Sequence, residues 1–84
     1  MLATTVIPSD QCGTNGTGYY TGSLPTVATT VTGTVCFNSG GNTCADSNTI
    51  SVTNCSGYYV YLLTATPNCN ERYCTVWFIF HYSI

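Results

Sequence analysis

Charge is what this chain has least of. Arg72 is its only Lys or Arg, set against Asp10, Asp46 and Glu71, for a net charge of -2 over 84 residues. A nucleic-acid binder displaces phosphate counterions with several Lys or Arg side chains, so one Arg excludes that class of partner. Attraction to an anionic membrane surface is excluded on the same ground. Long apolar runs are missing too. A membrane-crossing helix needs about 18 consecutive apolar residues, and the closest approach, VWFIFHY at 76–82, is far shorter. No membrane span is expected. The opening MLATTVIPSD lacks the basic start and the apolar run of an export signal. Amphipathic helical periodicity, heptads and internal repeats are absent as well.

Catalytic equipment is equally sparse. The sole histidine, His81, lies in the aromatic tail with no nucleophile near it in sequence. Asp46, in CADSNT, reads as a turn residue bonding its own backbone. Asp10 reads as a solvated lead residue, and the neighbours Glu71 and Arg72 as a surface pair or turn. No general acid–base pair is assembled from these. GTNGTG has glycines, but no helix follows to hold a phosphate. The chain is therefore expected to be no enzyme and to need no cofactor.

Cysteine is what the chain has in plenty: Cys12, Cys36, Cys44, Cys55, Cys69 and Cys74. An even number in a single small domain reads as a disulfide framework, which supplements a core too small to be secure alone. Zinc sites favour Cys pairs two to four residues apart, often with His. The nearest pair here is Cys69 and Cys74, so no metal site is expected. Six cysteines leave fifteen pairings open on spacing alone. Disulfides imply an oxidising compartment, hence an extracellular, secreted protein. With no leader in view, the chain reads as a piece of a longer secreted protein. Its polar surface must come from Thr, Ser, Asn and Gly, which oppose self-association weakly.

The pattern along the chain is that of strands and turns. Residues 12–25, CGTNGTGYYTGSLP, are dense in turn-forming residues and read as a loop. In TVATTVTGTVCF, Val27, Val31, Val35 and Phe37 alternate with threonines, which predicts a strand with one buried face. Gly33 interrupts that face and is expected to mark a bulge. NSGGN at 38–42 is a turn, and NTISVTN at 48–54 alternates again. YYVYLLT at 58–64 is apolar on both faces, so residues 58–63 are expected to form the central strand. RYCTVWFIFHY is expected to supply a last strand. The fold class is all-β: a small disulfide-stapled domain of short antiparallel strands with Gly-rich loops and room for one helical turn.

Two N-glycosylation sequons occur, Asn15–Gly16–Thr17 and Asn54–Cys55–Ser56. Asn15 lies in the Gly-rich segment, where glycan acceptor and plain turn residue are both open readings. At Asn54 the intervening cysteine favours the turn. Tyr58–Tyr61 are assigned to the core or its margin. Tyr19 and Tyr20, placed in a loop, are the expected exposed contact residues for a protein or carbohydrate partner.

Residues 34–75 carry a more specific signature. VCF…GN.C, I.V..C.GYYVY.L, TP.C and YCT, joined in this order, resemble the eight-cysteine extracellular domain of uromodulin and the related pancreatic zymogen-granule membrane glycoprotein. The upstream QCGTNGTGYYTGSLP fits too, with Tyr19–Tyr20 where the family often has Trp–Leu. The resemblance covers residues 11–75 and is N-terminally shortened. It divides the chain into a lead at 1–11, the domain at 12–75 and an apolar tail at 76–84. Thr43 stands where the family has the first of two adjacent cysteines.

The resemblance implies the bridges Cys12–Cys74 and Cys36–Cys44. The family partners of Cys55 and Cys69 lie in the missing N-terminal part, so these two are expected to bond each other. It also implies a non-enzymatic recognition or adhesion module that presents glycans to lectins. The family's own acceptor aligns near Thr21, in TGS, which is no sequon, so that role falls to Asn15. The alternative is a self-assembling structural protein that uses β edges and the apolar tail.

Overall fold

The computed structural model describes residues 1–75. Its strands are β1 (Gly16–Tyr20), β2 (Thr30–Ser39), β3 (Asn42–Asn54), β4 (Tyr59–Leu62) and β5 (Glu71–Tyr73). They form one sheet in the order β4-β3-β2-β1-β5. All neighbours run antiparallel except β1 and β5, which are parallel. The domain is all-β, and no helix occurs among the described residues.

The long hairpin β2–β3 is the frame. Threonine and valine alternate along β2, and β-branched side chains suit a pleated surface with one buried face. Val35 and Phe37 are fully buried on that face, and Ile50 and Val52 of β3 join them. The outer face is threonine-rich, with Thr30 and Thr53 paired across the strands and their hydroxyls 2.7 Å apart. The turn between the strands is Gly40–Gly41, with φ of 59° and 81°. Two left-handed residues in a two-residue loop match the right-handed twist of the strands they join, and glycine adopts them without strain.

One core lies on the inner face of the sheet, and the segments flanking the strands close over it. Tyr73 of β5 sets its ring edge-on to Phe37, with centroids 5.6 Å apart. The Tyr73 hydroxyl donates to the Thr64 carbonyl at 2.6 Å and accepts from Asn48 Nδ2 of β3 at 3.0 Å. The β4–β5 connection thereby crosses the open face and covers it. The lead does the same from the other side. Leu2 and Ala3 are buried. Ala3 N–H donates to the Cys74 carbonyl at 2.9 Å, and the Ala3 carbonyl accepts from Tyr20 N–H at 2.7 Å. Leu2 also pairs with Thr75 in an isolated bridge.

Several expectations are corrected. The segment 12–25 is not all loop, because β1 lies inside it. Residues 58–63 do not form the central strand: among the described residues β4 pairs with β3 alone and is an edge. Its apolar character on both faces has two sources. Tyr59 and Tyr61 pack against the core, while Val60 and Leu62 are left 49% and 70% exposed. Gly33 marks no bulge. The register shift lies further on, between Phe37 and Ser39. The expected last strand is confined to β5 within the described residues, and the segment 76–82 lies outside them.

Candidate functional site

The cysteines set the rigidity of everything else. Cys12 and Cys74 are bonded, with Cα atoms 6.0 Å apart and 62 positions apart in sequence. This clasp ties the residues before β1 to those after β5, the one parallel pair among the described residues. Cys36 and Cys44 are bonded across the β2–β3 hairpin, with Cα atoms 4.8 Å apart. The expected Cys55–Cys69 bond is a correction, since both are free thiols. The geometry forbids it. Asn68, beside Cys69, donates from Nδ2 to Asp46 Oδ2 at 2.8 Å, near the start of β3. Cys55 follows Asn54, the last residue of β3. Roughly 25 Å of strand separates Asp46 from Asn54 at about 3.3 Å per residue, whereas a disulfide needs Cα atoms within about 7 Å.

The two sequons stand in different environments. Asn15 is exposed, immediately before β1. The third residue of its sequon, Thr17, is fully buried, and its hydroxyl donates to the Ile7 carbonyl at 2.6 Å. Asn54 has its side-chain amide engaged at both ends. Nδ2 donates to the Pro25 carbonyl at 3.1 Å, and Oδ1 accepts from Ser56 N–H at 2.9 Å. The second bond is the short-range turn that asparagine side chains make with the backbone two residues on.

Tyr19 and Tyr20 part company, as neighbours on a strand must. Tyr19 is half-buried on the outer face, and its hydroxyl donates to the Thr43 carbonyl at 2.8 Å. Tyr20 points inward and is 1% exposed, so its expected role as a contact residue is corrected to a core role. Burial pushes its hydroxyl above the usual tyrosine range, with a smaller push from Tyr61. Both expectations for the acidic residues also change. Asp46 belongs to β3 and not to a turn. Glu71 is buried and makes no surface pair, while Arg72 faces outward on the opposite side of β5. Burial raises the Glu71 carboxyl above its ordinary range. A hydrogen bond with Asp46 adds to this, and the Asn68 donors oppose it. Among the described residues no group of His, Cys, Asp and Glu is placed to hold a metal ion.

One feature went unread in the sequence. A cleft of about 520 Å³ opens between the β3–β4 turn and the 25–29 segment. Val27, Asn54, Ser56, Tyr58, Tyr59 and Tyr61 line it, with Met1 at one side. The rings of Tyr59 and Tyr61 lie 6.4 Å apart and tilted. The signal was GYYVY, three tyrosines in four positions, all of which the sequence assigned to the core or its margin. Tyr58 is in fact 64% exposed.

A curled five-stranded sheet, clasped at two places and nearly devoid of charge, defines a small cysteine-stapled all-β module. The family profile described as uromodulin-like matches residues 1–75, and the chain belongs to that domain family. It is 36% identical over 73 residues to the pancreatic secretory granule membrane major glycoprotein GP2 of Canis lupus familiaris. That alignment covers 84% of this chain and 14% of the relative. Identity to uromodulin of Mus musculus is 37% over 76 residues, covering 88% of this chain and 12% of the relative. GP2 of Homo sapiens is 35% identical over 77 residues, covering 89% and 14%. The chain thus spans about one seventh of these relatives or less. The match reaches the first residue, in keeping with the burial of Leu2 and Ala3.

Proposed function

We propose that this domain is a non-enzymatic, extracellular recognition module of a larger protein, and that it presents a glycan on Asn15 to lectin partners. The observation that carries this reading is the position of Asn15. It stands at the head of β1, between the Cys12–Cys74 clasp and a strand paired on both sides. A glycan there stands on a rigid mount, and preorganisation lowers the entropic cost of its capture. Tyr19, held by Thr43 on the outer face, belongs to the same presented surface. Two disulfides support an oxidising, extracellular location. The canine and human relatives are named glycoproteins, which is in keeping with a glycan-bearing role.

The test is to secrete the chain from animal cells and compare it with Asn15→Gln and Asn54→Gln. Intact mass is read before and after glycosidase, and capture is read on an immobilised mannose-binding lectin. The reading expects Asn15→Gln to lose both the glycan mass and lectin capture, and Asn54→Gln to change neither. A wild-type chain secreted without glycan would remove it.

A second reading, self-association, is favoured by β4. Among the described residues this strand is an unpaired sheet edge that carries exposed Val60 and Leu62, with Leu63 beyond it. Unpaired edges with apolar side chains and no charge are templates for another strand.

A further inference from the structure

We propose that Asn15 accepts its glycan only before the domain closes, so that docking of β1 and formation of the Cys12–Cys74 bridge end the period in which it can be modified. This rests on the reading of Asn15 as the glycan carrier. An acceptor motif that requires a hydroxyl two residues after the asparagine is read through that hydroxyl. In the closed domain this hydroxyl is out of reach. Thr17 is 0% exposed, and its Oγ1 donates to the Ile7 carbonyl, which also accepts from Asn38 Nδ2 at 2.9 Å.

The backbone is equally committed. Thr17 pairs with Asn38 on one side and Arg72 on the other. Gly16 N–H donates to the Asn70 carbonyl at 2.8 Å, and the Asn15 carbonyl accepts from Asp10 N–H. A transferase that must bend the sequon into its own site cannot do so without stripping β1 from both neighbours. The exposed asparagine is a usable attachment point whose recognition element is buried.

The chemistry sets what must be reachable. Asn15 Nδ2 attacks C1 of a lipid-pyrophosphate-linked oligosaccharide. The N–C1 bond forms and the C1–O bond breaks. The lipid pyrophosphate leaves with the electron pair, and the amide nitrogen gives up one proton to a base. The nitrogen is not walled off in the folded domain, but the hydroxyl that licenses the step is. Folding and oxidation therefore compete with transfer. Cys12, just ahead of the acceptor, makes the bridge that fixes β1 against β5.

The full 84-residue chain, made without glycan in a bacterial periplasm, is offered to purified oligosaccharyltransferase with a lipid-linked donor. One sample is folded and oxidised, the other reduced and alkylated. Transfer to Asn15 in the folded sample should be slower by at least ~100-fold, because only the rare open population of a stable domain is an acceptor. In cells, Cys12→Ser together with Cys74→Ser should raise occupancy of Asn15. Equal transfer to folded and unfolded chains would overturn the timing proposal and leave the glycan reading intact. No transfer to either would overturn both, since the open chain must be an acceptor.

Discussion

The ring of Tyr20 occupies the space that a side chain at position 33 would fill. A Cβ built on Gly33 would meet Tyr20 Cε1 and Cζ at 2.6 Å. The inward face of β2 therefore reads Val31, Gly33, Val35, with the gap taken by an aromatic ring from β1. The Tyr20 hydroxyl crosses over it to donate to the Ser23 carbonyl at 2.8 Å. Gly33→Ala should destabilise the domain by about 1–3 kcal/mol, the usual cost of overpacking a filled core. Tyr20→Phe should cost about 1 kcal/mol through the lost hydrogen bond, and Tyr20→Ala about 3–5 kcal/mol. Urea melts of the three variants check this. Any loss of partner binding in Tyr20→Ala should follow the loss of fold.

The two disulfides should differ in worth. Loop-closure entropy gives about 4 kcal/mol for the bridge spanning most of the chain and about 2.5 kcal/mol for the short hairpin bridge. Total stability for a domain of this size is about 5–15 kcal/mol. Cys12→Ser with Cys74→Ser should leave the chain largely unfolded at about 37 °C. Cys36→Ser with Cys44→Ser should remain folded with a lower melting point. Thermal circular dichroism distinguishes the two.

Glu71 gives the domain a pH dependence of definite sign. Its carboxyl is raised chiefly by burial, so the folded state holds the proton more tightly than the unfolded chain does. Where that holds, stability falls as pH rises from the ordinary glutamate range through the raised value, and levels off above it. Below that window Glu71 is protonated in both states and contributes no slope. Glu71→Gln keeps an oxygen to accept from Asn68 N–H, now 3.0 Å from Oε1. Denaturant midpoints measured across this window should flatten in the variant.

The exposed edge of β4 predicts how the domain associates. A lysine on an edge strand opposes strand pairing. Val60→Lys with Leu62→Lys should abolish any concentration-dependent rise in sedimentation coefficient. Stability should change by no more than about 1 kcal/mol, because both side chains face solvent. Persistence of association in the double variant would place the contact elsewhere.

How far the sequence disclosed this fold depended on whether a segment's burial followed its own alternation. β2 and the second half of β3 did, because valine, isoleucine and phenylalanine mark the inner face and threonine the outer. β1 did not. GTGYY carries glycines and a buried threonine where a pattern needs apolar side chains, so it looked like loop. The edge position of β4 was hidden because a strand apolar on both faces normally has both faces covered. Glu71 was misread since Arg72 follows it, and only the strand's alternation shows that the two point apart. The Cys55–Cys69 pairing was reached by elimination, and elimination carries no information about distance. The family signature and the all-β class were legible because the joined cysteine and glycine pieces, VCF to YCT, are specific together where each alone is weak.

The most direct test of the stapled frame is thiol counting on the secreted chain. Alkylation under native, non-reducing conditions should add two groups, located by peptide mapping on Cys55 and Cys69, and reduction should expose four more. Peptides linking Cys12 to Cys74 and Cys36 to Cys44 should accompany that result. Six thiols reacting before reduction, or a peptide joining Cys55 to Cys69, would contradict the account.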